Sequence, residues 1–191
     1  MPSTFEQLKR AVLEKSYSKN WTTAVLEWEI TDTDEDESCS SSCVCGKENI
    51  RYLYTIENTK TKETLFPIGS SCIRKFNRSD LNNQTSLIEQ LFRLYHAVEE
   101  NKFISLSNEL FSRKLLKYLY DEGAFLSDNE DYDEEENYEF LLKMFNKRDK
   151  EAITQGQDRK IKAIILNNIK PFVQKRLKSK VKHSLDKPEE K

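Results

Sequence analysis

Apolar residues recur at helical spacing in residues 3–18, where Phe5, Leu8 and Val12 share a face and Ser3 with Glu6 forms a capping box. The period then changes. Over 21–30, Ala24, Leu26, Trp28 and Ile30 alternate with Thr23, Val25, Glu27 and Glu29, which predicts a strand. Asp32, Asp34, Glu35, Asp36 and Glu37 follow and read as a solvated loop. Ile50, Tyr52, Tyr54 and Ile56 predict a second strand. Leu65, Phe66 and Ile68 predict a short third one, with Pro67 favouring an edge position. Gly69-Ser70-Ser71 then leads into a helix carrying Cys72, Ile73 and Phe76, with a serine as its N-cap.

From about residue 84 the spacing is helical throughout. Residues 86–101 carry Leu87, Leu91, Leu94 and Val98 on one stripe. Residues 107–122 carry Leu110, Leu115, Tyr118 and Leu119, and Gly123 supplies a stop. Phe140, Leu141, Met144 and Phe145 predict another helix. A last one holds Ile161, Ile164, Ile165, Leu166 and Ile169, closing near Pro171. The expected fold class is α+β: a small antiparallel, zinc-stapled sheet of treble-clef or knuckle type, followed by a mainly helical half. The expected divisions are a zinc-binding module over 1–83, a helical region over 84–173 and a flexible basic tail over 174–191.

Composition narrows the function. In 191 residues, 31 Lys and Arg nearly balance 33 Asp and Glu, so no global field draws the chain to nucleic acid or an anionic membrane. No apolar run approaches the ~20 residues a bilayer needs, and the first residues lack the apolar core of a secretory signal. A soluble protein of the cytoplasm, in a bacterial host cell, is the expectation. No phosphate-binding glycine loop, G-x-S-x-G or H-E-x-x-H occurs, and there are two histidines. No acid, base and nucleophile set is visible, so the chain reads as a non-enzyme.

The chemistry lies in the cysteines. Cys39, Cys43, Cys45 and Cys72 form C-x3-C-x-C plus one residue at a helix start. In a reducing compartment such a cluster points to a metal, and four thiolates suit one structural Zn2+ per chain. Two disulfides, or inert buried thiols, are the competing readings. Gly46 allows a tight turn and leaves backbone N–H groups for sulfur, while the helix start favours a thiolate at Cys72. Cys39 sits among Ser38, Ser40, Ser41 and Ser42; if it is not a ligand, water or His96 takes the place. His96 otherwise reads as a half-buried helix residue and His183 as a solvated one. With four cysteines the site is closed, hence structural rather than catalytic.

Two charged runs remain. Asp128, Glu130, Asp131, Asp133, Glu134, Glu135, Glu136 and Glu139 read first as a solvated loop that resists compaction, and secondly as a surface for a basic partner. A calcium loop fits poorly, because Asp133 occupies the position that needs glycine. Lys175, Arg176, Lys178, Lys180 and Lys182 are enough for weak phosphate binding, without aromatics for stacking. Tyr52, Tyr54, Phe66 and Phe76 gather near the cysteines, either to close a small core or to stack on bases.

The runs Cys43-Val-Cys45-Gly46-Lys47 and Pro67-Ile68-Gly69-Ser70-Ser71-Cys72-Ile73-Arg74-Lys75-Phe76 resemble small zinc-knuckle proteins of phages and mobile elements of Gram-positive bacteria. The similarity extends through Leu110–Leu115 and Phe140–Arg148. Some zinc proteins of this size and origin resemble type II-A anti-CRISPR proteins. That resemblance implies an inhibitor that binds a type II guide-RNA-directed nuclease by protein–protein contact and blocks its DNA binding or cleavage. Asp128, Glu130, Asp131, Asp133, Glu134, Glu135 and Glu136 are the expected partner-binding residues. The alternative is a zinc-containing nucleic-acid-binding accessory protein of a mobile element.

Overall fold

The computed structural model describes residues 2–100, 102–126 and 133–182, without the side chains of 179, 181 and 182. The described residues divide into two compact units, 2–88 with 179–182, and 89–178. The expected boundary at 83/84 therefore falls a few residues early, within a helix.

In the first unit, α1 (Thr4–Lys15) forms as its pattern predicts. The Ser3 hydroxyl accepts from the Glu6 N–H, the Glu6 carboxylate accepts from the Ser3 N–H, and Leu8 and Val12 are buried. The next stretch departs from its pattern. Asn20 caps a short helix, α2 (Trp21–Ala24), its side-chain oxygen accepting from Thr23 N–H at 3.3 Å, and a 3-10 turn covers Val25–Glu27. Local capping overrides alternation here: Val25 and Glu27 are buried and Leu26 is exposed.

The strand begins only at Trp28. β1 (Trp28–Glu35) runs through the acidic stretch expected to be a loop, with a bulge between Ile30 and Asp32. The acids tolerate this because those turned inward find partners: Glu35 is fully buried and takes a 2.5 Å hydrogen bond from Arg51 Nε. β2 (Tyr52–Asn58) pairs antiparallel with β1, and β3 (Thr64–Ile68) pairs with β2, giving the order β1-β2-β3. β3 is an edge strand, as Pro67 implied. Trp28, Tyr54, Ile56, Ile68, Ile73 and Leu8 form the core beneath the sheet. Trp28 Nε1 donates to Ser16 Oγ at 2.8 Å, so its buried polar atom is satisfied. α3 (Ser70–Arg74) follows β3, with Gly69 rather than a serine at the N-cap. α4 (Ser79–Glu99) starts earlier than its leucine stripe suggested.

In the second unit, α5 (Arg113–Asp121) begins where Ser112 Oγ accepts from Leu115 N–H at 3.1 Å, and Gly123 takes φ +81° just beyond its end. α6 (Glu134–Asn146) begins inside the acidic run. Asp133 is its N-cap and Glu134, Glu135 and Glu136 fill its first turn, where the positive end of the helix favours them. Phe125 is buried and sits edge-on to both Tyr120 and Tyr138, which stack on each other at 4.6 Å.

α7 (Gln155–Ile164) starts from a Thr154–Gln157 capping box and passes through a π-helical turn (Ile165–Ile169) into α8 (Lys170–Lys182). The helix does not close at Pro171. The Lys170 N–H reaches back to Ile165 C=O, and the wider turn admits a proline that supplies no donor. Residues 174–182, expected in the flexible tail, are helical, and Leu177 is buried.

Candidate metal centre

The knuckle loop is built by backbone hydrogen bonds on both sides of the cysteines. Ser41 bridges to Ile50, Cys43 N–H donates to Lys47 C=O at 2.8 Å, and Gly46 N–H donates to Cys43 C=O at 2.8 Å. Gly46 holds φ +81°, which an L side chain resists, and a Cβ there would lie 2.8 Å from Gln7 Oε1. Val44 N–H donates to Pro67 C=O at 3.0 Å, which pins the loop to β3. β3 then hands the chain to α3, whose third residue is Cys72.

These elements bring three thiols together. Cys43, Cys45 and Cys72 are buried, with all three Sγ atoms within 4.8 Å of one another. Cys72 Sγ lies 3.2 Å from Cys45 Sγ and 3.6 Å from Cys43 Sγ, and no disulfide links them. Four sulfurs at ~2.3 Å around a tetrahedral ion stand ~3.8 Å apart, so the triad nearly traces one face of that tetrahedron. The donor set fits a thiophilic ion such as zinc.

The triad is prepared to lose a proton. A hydrogen bond from the Cys72 thiol, aided by the Cys45 and Gly69 backbone N–H groups, lowers Cys43 to about 5 in spite of burial. Gly69 N–H reaches Cys43 Sγ at 3.4 Å. The same hydrogen bond, with burial and the neighbouring sulfurs, pushes Cys72 far up. The knuckle turn does leave a backbone N–H for sulfur, that of Cys45, and Gly69 N–H adds a second, while Gly46 N–H is spent on the turn. One local expectation is corrected. The thiol held low is Cys43, because contact with a neighbouring thiol outweighs the end of a five-residue helix.

Cys39, the expected fourth ligand, is not in this group. It adopts φ 51°, and its thiol points to Glu37 C=O at 4.0 Å. The serine stretch around it is ordered by a residue that composition alone had assigned to solvent. Asp36 is 5 % exposed, and its carboxylate accepts from the N–H and hydroxyl groups of Ser38, Ser40 and Ser41 at 2.5–3.1 Å. Burial opposes its charge, but these hydrogen bonds hold its pKa well below the ordinary carboxylate range. The run Asp36-x-Ser38-x-Ser40-Ser41 carries that signal in sequence, since Asp accepts readily from N–H groups two or more residues on. Glu27 is the second missed carboxylate. It is 2 % exposed and accepts from Tyr17 N–H, Ser18 N–H and Asn58 Nδ2 at 2.9–3.0 Å, tying α1's exit to the β2–β3 hairpin.

The remaining candidates disperse. Tyr54 and Phe76 are buried in the core, whereas Phe66 is 44 % exposed on β3. His96 lies on the part of α4 in the second unit, its ring edge-on to Tyr95. Among the expected partner-binding acids, Asp133, Glu134, Glu135 and Glu136 occupy the start of α6, where Glu136 pairs with Lys160 at 3.0 Å. Asp128, Glu130 and Asp131 lie outside the described residues, as does His183.

Compared with protein-family models, curated proteins and solved structures, the chain gives no match in any of the three. No described helix is long and apolar enough to cross a membrane.

Proposed function

We propose that the protein is a non-enzymatic binding protein whose first unit is stapled by one zinc ion on Cys43, Cys45 and Cys72. The observation that supports the staple is the convergence of three buried, unpaired thiols at the junction of the knuckle loop, β3 and α3. A three-stranded sheet is a weak scaffold alone, and a structural zinc contributes roughly 10–16 kcal/mol in small domains.

Its activity is to inhibit a type II guide-RNA-directed nuclease of a bacterial CRISPR system, as the resemblance of its knuckle implies. Such effectors hold nucleic acid in cationic channels. The acidic first turn of α6 is a negatively charged element that would complement such a channel and speed encounter. The zinc supplies stability, and docking supplies the inhibition.

Two measurements test this. Elemental analysis of protein purified without chelator should give about one zinc per chain. Co-purification from cells holding a type II system should retain the effector, and the added protein should suppress target cleavage. Purified protein that leaves cleavage untouched but binds free DNA or RNA, with affinity falling steeply in salt, would replace this reading with the nucleic-acid-binding accessory role.

A further inference from the structure

Tetrahedral zinc takes four ligands, and the described residues bring three together. No other described His, Cys, Asp or Glu joins Cys43, Cys45 and Cys72 within 4.8 Å. The obvious fourth donor is also held in place elsewhere. Cys39 N–H donates to Asp36 C=O at 3.1 Å, and its neighbours Ser38 and Ser40 are each bonded to the Asp36 carboxylate through both N–H and hydroxyl. Swinging Cys39 into the knuckle would break this set and leave a buried carboxylate without its donors.

Charge favours the smaller set as well. Three thiolates with Zn2+ carry −1, and four would carry −2, in a pocket whose residues are at most 4 % exposed. The Gly69 and Cys45 N–H groups, both on Cys43 Sγ, offset part of the first charge.

We infer that the metal is held by three protein thiolates and that its fourth position is filled by an exchangeable small donor, water or a low-molecular-weight thiol or imidazole. This rests on the metal reading above. It leaves the fourth position to a donor that no protein side chain supplies, so exchange there displaces no protein ligand.

X-ray absorption of the zinc form of the full chain counts the sulfurs, and the expected shell is three sulfurs with one lighter atom. The cobalt(II) form reports exchange: adding 2-mercaptoethanol or free imidazole should shift its visible bands in a saturable way. Cys39→Ser and His183→Gln should leave both spectra unchanged, while Cys45→Ser should abolish the sulfur-to-cobalt bands. In protein prepared free of small thiols, a shell of four sulfurs, bands indifferent to added donors, or a change in either spectrum on Cys39→Ser or His183→Gln would overturn the open position alone. Failure to take up zinc or cobalt at all would overturn the metal reading on which it depends.

Discussion

Asp36→Asn is the most informative single change, because it attacks the knuckle loop without touching a cysteine. In the native chain Oδ1 accepts from Ser38 N–H and Oγ, and Oδ2 accepts from both groups of Ser40 and Ser41. An amide replaces one acceptor by a donor and removes the charge. At least two charge-assisted hydrogen bonds are lost in a buried site, and at ~1–2 kcal/mol net each the variant should be about 2–4 kcal/mol less stable at neutral pH. The pH dependence gives the sharper check. The folded-state pKa of Asp36 is depressed, so its contribution is present above the unfolded value near 4 and is lost as pH falls through the folded one. While the native carboxylate stays ionised, protonating the unfolded chain between pH 5 and 3 removes about 1.2 kcal/mol from this one group. Urea unfolding of both proteins at pH 7, 5 and 3 should therefore show the gap between them narrowing by about that amount on acidification. A gap that stays constant, or a loss at neutral pH below about 0.5 kcal/mol, would refute a buried ionised carboxylate as the organiser of the loop.

The other expectations are simpler. Cys45→Ser or Cys72→Ser should abolish stoichiometric zinc by elemental analysis and lower the melting temperature, whereas Cys39→Ser should keep one zinc per chain. Glu27→Ala leaves Tyr17 N–H, Ser18 N–H and Asn58 Nδ2 unpaired in a buried pocket, and should cost about 3–5 kcal/mol in urea unfolding. Asp133→Ala removes the α6 cap and should cost about 1 kcal/mol by the same assay. Glu134→Lys with Glu135→Lys spares both that cap and the Glu136–Lys160 pair, so weakened binding to the nuclease with a melting temperature within a few degrees tests the docking face directly. Equal affinity at low and physiological salt would remove α6 from the interface.

Much of the frame could be read from local chemistry. The capping box at Ser3, the alternation from Tyr52 to Ile56 and the edge-strand proline at Pro67 act over a few residues and survive in the structure. So do the glycine turns at Gly46 and Gly123, where φ is positive. The pattern misled where a local signal competed with it. Alternation lost to the Asn20 cap over 21–27 and held only from Trp28 on, and a proline thought to stop the last helix was carried by a π turn. The acidic run at 32–37 looked like a solvent loop because sequence shows charge but not the partner that cancels it. Arg51 settles Glu35 only once the pairing of β1 with β2 brings it near, whereas the three serines that settle Asp36 lie within five residues of it.

The candidate metal centre divides the same way. The cysteine cluster around a tight glycine turn already pointed to metal chemistry, on the expectation that the thiols stay reduced. Which thiols meet was decided only by the tertiary structure. Pairing of β2 with β3 carries Cys72 back over the knuckle to Cys43 and Cys45, while the Asp36 carboxylate turns Cys39 into a different loop. Spacing along a chain limits which donors can approach one ion; the hydrogen bonds that fix each backbone direction determine which ones do.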